Sequence, residues 1–280
     1  MKNKFSINID NSINSGQVFL WKKDDSNWYG INGQDILQIN KNGVIKSIQN
    51  LKIDFFRKND DIEKIIKSIS KDKTVREAVK QYEGLRIFKQ DPFQCIISFI
   101  ISSNSNIPKI KNSLEKITKK FGTKIKIKNK EFFLFPKPEK IAKASIDEIK
   151  TCGVGYRAPF IREAAKMVVL KKIDFKYLEK CNYQEAKKNI CLIPGVGNKV
   201  ADCILLFSLN KLEAFPLDTW MIKILEKYYS NEFKIETKTI TQKQYEILHE
   251  KIVNYFGPYC GYAQQFLFKM EREKYDKKWL

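Results

Sequence analysis

Between Gln17 and Gln49 apolar side chains recur at the short spacing of strands: Phe19, Trp21, Trp28, Ile31, Ile36, Leu37, Ile39, Val44, Ile45 and Ile48. Asn32-Gly33 and Asn42-Gly43 interrupt the run. Such dipeptides are strong hairpin signals, because both residues tolerate positive φ. After Asp60 the period lengthens to that of a helix. Ile62, Ile65, Ile66 and Ile69 form one stripe, and Val75, Ala78, Val79 and Tyr82 form another. The pattern predicts a small N-terminal α+β unit.

From Asp91 onward nearly every segment has helical spacing. Asp91-Pro92 provides an N-cap and a first-turn proline ahead of Phe93, Ile96, Ile97, Phe99 and Ile100. Asn106 to Pro108 opens a second helix, with Ile110, Leu114, Ile117 and Phe121 on one face and Gly122 as its stop. Lys124 to Lys130 alternates lysine with isoleucine, as expected of an exposed loop or short strand. Thr241 to Phe256 is amphipathic and closed by Gly257-Pro258, and Tyr259 to Met270 continues as an aromatic-rich helix. No internal repeat is evident.

Composition narrows the classes. At 280 residues the chain can bury a substantial core without disulfides. Its six cysteines (Cys95, Cys152, Cys181, Cys191, Cys203, Cys260) form no C-x-x-C pair, and His249 is the only histidine. Neither zinc spacing nor an iron–sulfur cysteine cluster is present. No run is long and apolar enough for a membrane span, and no hydrophobic signal core stands near the N-terminus. A reduced cytoplasmic compartment is therefore expected, at the nucleoid if the source is a prokaryote. The 52 Lys and Arg against 32 Asp and Glu leave a net charge of +20, which favours a polyanionic partner through counterion release. A genomic bias toward Lys, Ile and Asn is the competing source of that charge.

The candidate chemistry lies in Leu192-Ile193-Pro194-Gly195-Val196-Gly197-Asn198, followed by Lys199 and, nineteen residues further on, Asp218. Pro194 restricts one φ, while Gly195 and Gly197 allow positive φ and close approach, so that the N–H groups of the turn can cradle a phosphate. The apolar run from Val200 to Phe207 predicts a helix with Lys199 in its first turn, at the positive end of the helix dipole. An amine there is placed for nucleophilic attack, but at the reference pKa only roughly 0.04% is neutral at pH 7, so its site must favour the free base. Asp218, in Phe215-Pro216-Leu217-Asp218-Thr219-Trp220, is expected to cap a helix from Thr219 to Tyr228.

Four further segments join this motif: Ser15-Gly16-Gln17-Val18-Phe19-Leu20-Trp21; Gln90-Asp91-Pro92-Phe93 through Ser102-Ser103-Asn104-Ser105-Asn106; Gly153-Val154-Gly155-Tyr156-Arg157-Ala158; and Gly257-Pro258-Tyr259-Cys260-Gly261-Tyr262-Ala263-Gln264. Together they resemble the helix-hairpin-helix DNA glycosylases, in the 8-oxoguanine DNA glycosylase branch, over most of the chain. The resemblance implies a twisted antiparallel sheet with helices over residues 1–85 and a mostly helical glycosylase region over 86–280. It implies a monomeric repair enzyme acting on double-stranded DNA that carries oxidised guanine, with no required cofactor. Lys199 is then the nucleophile and Asp218 its electrostatic partner. The Gly16 carbonyl would accept from the N7–H that oxidation creates, Gln264 would read the Watson–Crick edge, and Phe268 and Cys203 would cover the two faces of the flipped base.

Asn104 and Tyr156 map to positions that fill the vacated stack and wedge the opposite strand, with Arg157 and Lys109 as opposite-base or phosphate contacts. Gly195 and Gly197 belong to the phosphate grip, and the carbonyls of Cys191, Ile193 and Val196 to a monovalent cation. Lys109 stands where better-known relatives carry an arginine that reads the opposite cytosine, and lysine lacks that fork. Trp220 replaces a histidine that contacts the lesion phosphate. Three other readings remain: an endonuclease III-like enzyme for oxidised pyrimidines, whose usual cysteine cluster is missing here; a hydrolytic adenine or alkylbase glycosylase, which generally lacks the lysine; and a noncatalytic DNA binder.

Overall fold

The structure is a computed structural model that describes residues 7–40, 45–47, 54–127, 130–235 and 240–276. A short helix α1 (Ile9–Ile13) precedes a four-stranded antiparallel meander in the order β1 (Trp21–Asp24), β2 (Asn27–Asn32), β3 (Asp35–Ile39) and β4 (Ile45–Ser47). Trp21 pairs with Gly30, and its indole occupies the space a side chain at Gly30 would need. The Asn32-Gly33 turn joins β2 to β3 as expected; the Asn42-Gly43 turn lies outside the described residues.

Helices α2 (Ile62–Ile69) and α3 (Lys73–Gln81) follow the two apolar stripes, each capped by an aspartate, Asp61 and Asp72. Next come α4 (Pro92–Ser102) and α5 (Ile107–Phe121), capped by Asp91 and Asn106. The lysine-isoleucine segment is strand β5 (Lys124–Ile127), paired with β6 (Lys130–Phe133). Short helices α6 (Pro138–Lys143) and α7 (Ile146–Ile149) lead through a π turn (Lys150–Val154) and a 3-10 turn (Gly155–Arg157) into α8 (Ala158–Val169). The order closes with α9 (Phe175–Lys180), α10 (Tyr183–Ile190), α11 (Asn198–Ser208), α12 (Thr219–Tyr228), α13 (Gln242–Phe256) and α14 (Cys260–Asp276).

Two helices set the centre. Residues Phe93 to Ile101 of α4 and Val200 to Ser208 of α11 are all buried, as expected for helices whose apolar residues surround the axis. Their core takes in Ile31 and Ile36 from the sheet, while Trp21, Leu37 and Ile39 pack in a second, separate cluster with Phe55, Phe56 and Phe88. The β2–β3 turn docks on the start of α4: Gln94 Oε1 accepts from Gly33 N at 2.8 Å and Gln94 Nε2 donates to the Ile31 carbonyl at 2.9 Å. Among the described residues no helix is long and apolar enough to cross a membrane.

Candidate active site

The hairpin between α10 and α11 is anchored by buried Ile193 and Val196, and Val196 N donates to the Ile193 carbonyl at 3.0 Å. Gly195 has φ +83, and a Cβ there would meet the Phe160 ring at 2.7 Å, so glycine is required twice over. At Gly197 φ is −93, in extended backbone that any residue adopts, so the conformational freedom of glycine is not used there. Its contribution is openness. It is the N-cap residue of α11, it supplies no capping side chain, and a Cβ would meet nothing within 4 Å. The first-turn N–H groups of α11 therefore lack a side-chain acceptor where the helix dipole is positive, which is an anion site.

Lys199 is the second residue of this helix. It is half-buried, with Nζ 5.7 Å from the centroid of the Phe99 ring. One turn along, burial pushes the Cys203 thiol up to about 12, and the neighbouring Lys199 only partly offsets this. Cys203 is thus a neutral thiol at physiological pH. Asp218 is the N-cap of α12, its Oδ1 accepting from Met221 N at 2.8 Å. The cap fixes the carboxylate while leaving it half exposed.

A buried network that sequence reasoning missed ties these elements together. Asp202 is fully buried in the apolar run of α11 and accepts from Tyr183 Oη at 2.7 Å, Lys187 Nζ at 3.2 Å and Tyr245 Oη at 2.6 Å. Tyr245 Oη in turn accepts from Leu217 N at 3.1 Å, beside Asp218. Burial, reinforced by Asp202, holds both tyrosine hydroxyls far above their ordinary range, so they remain protonated donors. The one available signal was a carboxylate inside an apolar helix, which demands partners without naming them.

Lys199, Cys203, Asp218 and Trp220 share a cavity of about 320 Å³ with Gly16, Gln264, Phe268 and Arg272. Gly16 has φ +84, and a Cβ there would lie 3.1 Å from the Phe268 ring and 3.3 Å from Arg272 Nη1. Its loop is fastened on both sides. Gln265 Nε2 donates to the Ser15 carbonyl at 2.7 Å. Gln17 Nε2 bonds Ser12 O, Ser15 Oγ and Arg86 O, and its Oε1 accepts from Phe88 N. These supporting glutamines were also invisible to sequence reasoning. Gln264, the residue before Gln265 on α14, is buried, and its Oε1 has no hydrogen-bond partner. Such an orphan acceptor typically costs about 1–3 kcal/mol, a cost that a donor on a bound molecule removes.

Beside the cavity Asn104 stands at φ +48, and its Nδ2 lies 3.5 Å from Oη of Tyr156, which is 57% exposed. The Arg157 guanidinium stacks 4.4 Å from the Tyr156 ring centroid. It donates to the carbonyls of Ser103, Asn104 and Val154. Arg157 is therefore engaged with the Ser103 and Asn104 carbonyls at the end of α4 and with Val154 in the turn before it, and so it braces the two exposed residues. Lys109 lies exposed in the first turn of α5; its neighbours Pro108 and Ile110 line the cavity and it does not.

The HhH-GPD superfamily base excision DNA repair family matches residues 97–250, and the 8-oxoguanine DNA glycosylase N-terminal domain matches residues 1–96. The chain is 30% identical to the N-glycosylase/DNA lyase OGG1 of Arabidopsis thaliana over 92% of its own length and 75% of that protein. It superposes with a TM-score of 0.85 on the Clostridium acetobutylicum 8-oxoguanine glycosylase/lyase in complex with double-stranded DNA containing cytosine opposite 8-oxoG. That match has 31% identity and covers 96% of this chain and 93% of the other. The 3-methyladenine DNA-glycosylase of Archaeoglobus fulgidus shares the fold at TM-score 0.75 and 18% identity, covering 96% of each chain.

Proposed function

This chain belongs to the HhH-GPD superfamily of base excision DNA repair proteins, in its 8-oxoguanine glycosylase branch, and from that premise we propose a bifunctional DNA glycosylase/AP lyase that removes 8-oxoguanine from duplex DNA. The observation that carries the reading is a single cavity holding an amine, a carboxylate and an orphan buried acceptor, Lys199, Asp218 and Gln264. It lies beside an uncapped helix N-terminus suited to a phosphate.

The lesion nucleotide rotates out of the stack into this cavity, at a cost of a few kcal/mol. The phosphate grip at Gly195 and Gly197, and Asn104 and Tyr156 entering the vacated space, offset that cost. Lys109 and Trp220 provide further DNA contacts, while Arg157 fixes the Asn104 turn. Phe268 and Cys203 cover the faces of the base, Gly16 accepts from N7–H, and the free Gln264 oxygen accepts from an N–H of the Watson–Crick edge.

The neutral Lys199 amine attacks C1′ as the bond to N9 breaks, and that electron pair leaves with the base. Asp218 stabilises the positive charge that develops on the sugar. Loss of an amine proton and ring opening give a Schiff base. Removal of a C2′ proton then expels the 3′ phosphate with its electron pair and nicks the strand.

The carbonyls of Cys191, Ile193 and Val196 form an all-oxygen donor set at the hairpin. Among the described residues Cys191 and Val196 accept no backbone hydrogen bond there, which fits a monovalent cation. Such an ion, when bound, supplies positive charge for a phosphate.

The test is borohydride trapping and strand cleavage on duplexes carrying 8-oxoguanine, thymine glycol or guanine opposite cytosine. Trapping on 8-oxoguanine that disappears in Lys199→Gln is expected. Trapping mainly on thymine glycol, or cleavage that survives in Lys199→Gln, overturns the assignment.

A further inference from the structure

Gln264, Phe268 and Arg272 follow one another at intervals of four residues along α14, so they share a face, each about 6 Å beyond the last. All three line the cavity with Lys199. If the middle residue covers the face of a purine, its neighbours one turn away in either direction reach opposite edges of the ring. Gln264, with its unpaired buried oxygen, serves one edge. Arg272 then serves the other. Gly16 lies at that second edge, since a Cβ built there would stand beside both the Phe268 ring and Arg272 Nη1, at the spacings given above.

Oxidation rewrites the imidazole edge. Guanine presents C8–H, a bare N7 lone pair and O6, whereas 8-oxoguanine presents O8, N7–H and O6, an acceptor on each side of a donor. A carbonyl with an N–H donor beside it is the complement of that edge, and Gly16 with Arg272 is such a pair. We propose that Arg272 is a specificity-determining residue for the oxidised imidazole edge, its guanidinium donating to an exocyclic oxygen next to N7–H while the Gly16 carbonyl accepts from N7–H itself. The inference rests on the excision of 8-oxoguanine proposed above. Arg272 is planar and permanently charged, so it gives the stronger, charge-assisted form of hydrogen bond.

The experiment compares Arg272→Met and Arg272→Lys with wild type on two duplexes, one with 8-oxoguanine opposite cytosine and one with a preformed abasic site, under single-turnover conditions. The abasic substrate has no base to read but uses the same lysine, the same phosphate grip and the same lyase step. Arg272→Met is expected to slow 8-oxoguanine excision by about ten- to a hundredfold, while abasic-site cleavage stays within about twofold of wild type. Arg272→Lys, which keeps the charge and loses the fork, is expected to fall between. Unchanged excision by Arg272→Met overturns the proposal. A parallel loss on the abasic duplex does so too, because Arg272 would then serve the phosphates or the fold. Wild-type enzyme that cleaves the abasic site and leaves 8-oxoguanine intact overturns the substrate reading itself, a result visible before any variant is made.

Discussion

Asp218 performs two tasks that substitution can separate. As an N-cap it holds the start of α12, and in the proposed reaction it is the anion that stabilises the sugar losing its base. Asparagine caps a helix about as well as aspartate but carries no charge. Asp218→Asn is therefore expected to leave the melting temperature near that of wild type while excision falls by about two orders of magnitude or more. Asp218→Ala should add a loss of roughly 1 kcal/mol in stability. Equal melting losses for the two variants would contradict the division. Gly16 offers a comparable separation. Alanine there must adopt φ +84 and displace the Phe268 ring, so Gly16→Ala should lose 8-oxoguanine excision while still cleaving abasic sites. Undiminished excision would show that the loop has room to yield.

Among the elements, the caps were legible because they are local. Asp91-Pro92, Asn106 to Pro108, Asp218 and Thr241 each announced a helix, and the structure starts a helix at each. Contacts across the chain were not legible. Asp202 and Tyr245 are 43 residues apart, and nothing in an apolar run says which hydroxyl will meet its carboxylate. Gly197 left its own backbone open in the same way, since glycine permits a positive φ without requiring one. The bonds from Arg157 to the Ser103 and Asn104 carbonyls were hidden too, because 54 and 53 positions separate them in the chain.

The Asp202 network has two measurable effects. Tyr245→Phe keeps the ring but leaves Leu217 N without its acceptor, so the Asp218 segment should loosen, with excision rate falling several-fold more than DNA affinity. Equal changes in both would argue against a positioning role. His249 stacks 4.7 Å from Tyr183, and burial holds its pKa below the ordinary 6.5, with Asp202 pulling weakly the other way. The folded protein therefore binds fewer protons than the unfolded chain just below that value. Its stability is complete above about pH 6.5 and declines as pH falls below it, until the lower folded value is passed. His249 is the only histidine, so a fall in melting temperature between about pH 7.5 and about pH 5.5 belongs mainly to it. His249→Gln should flatten the decline, and a wild-type curve that is already flat would remove the effect.

Over the whole molecule the charge of +20 dominates encounters at a distance. Binding to undamaged duplex should weaken steeply as salt rises, with log affinity linear in log salt concentration. A flat response would mean that the lysines reflect genome composition rather than a DNA-facing surface.

The bond between Gln265 and the Ser15 carbonyl spans 250 positions, and it closes the pocket. On the ribosome Lys199 and Asp218 emerge well before Gln264 and Phe268, so for part of its synthesis the chain lacks a wall of the cavity in which they meet. The loop at Gly16, made first, waits for the helix made last. A nascent chain thus has no finished pocket until α14 arrives, and the first and last parts of the chain complete it together.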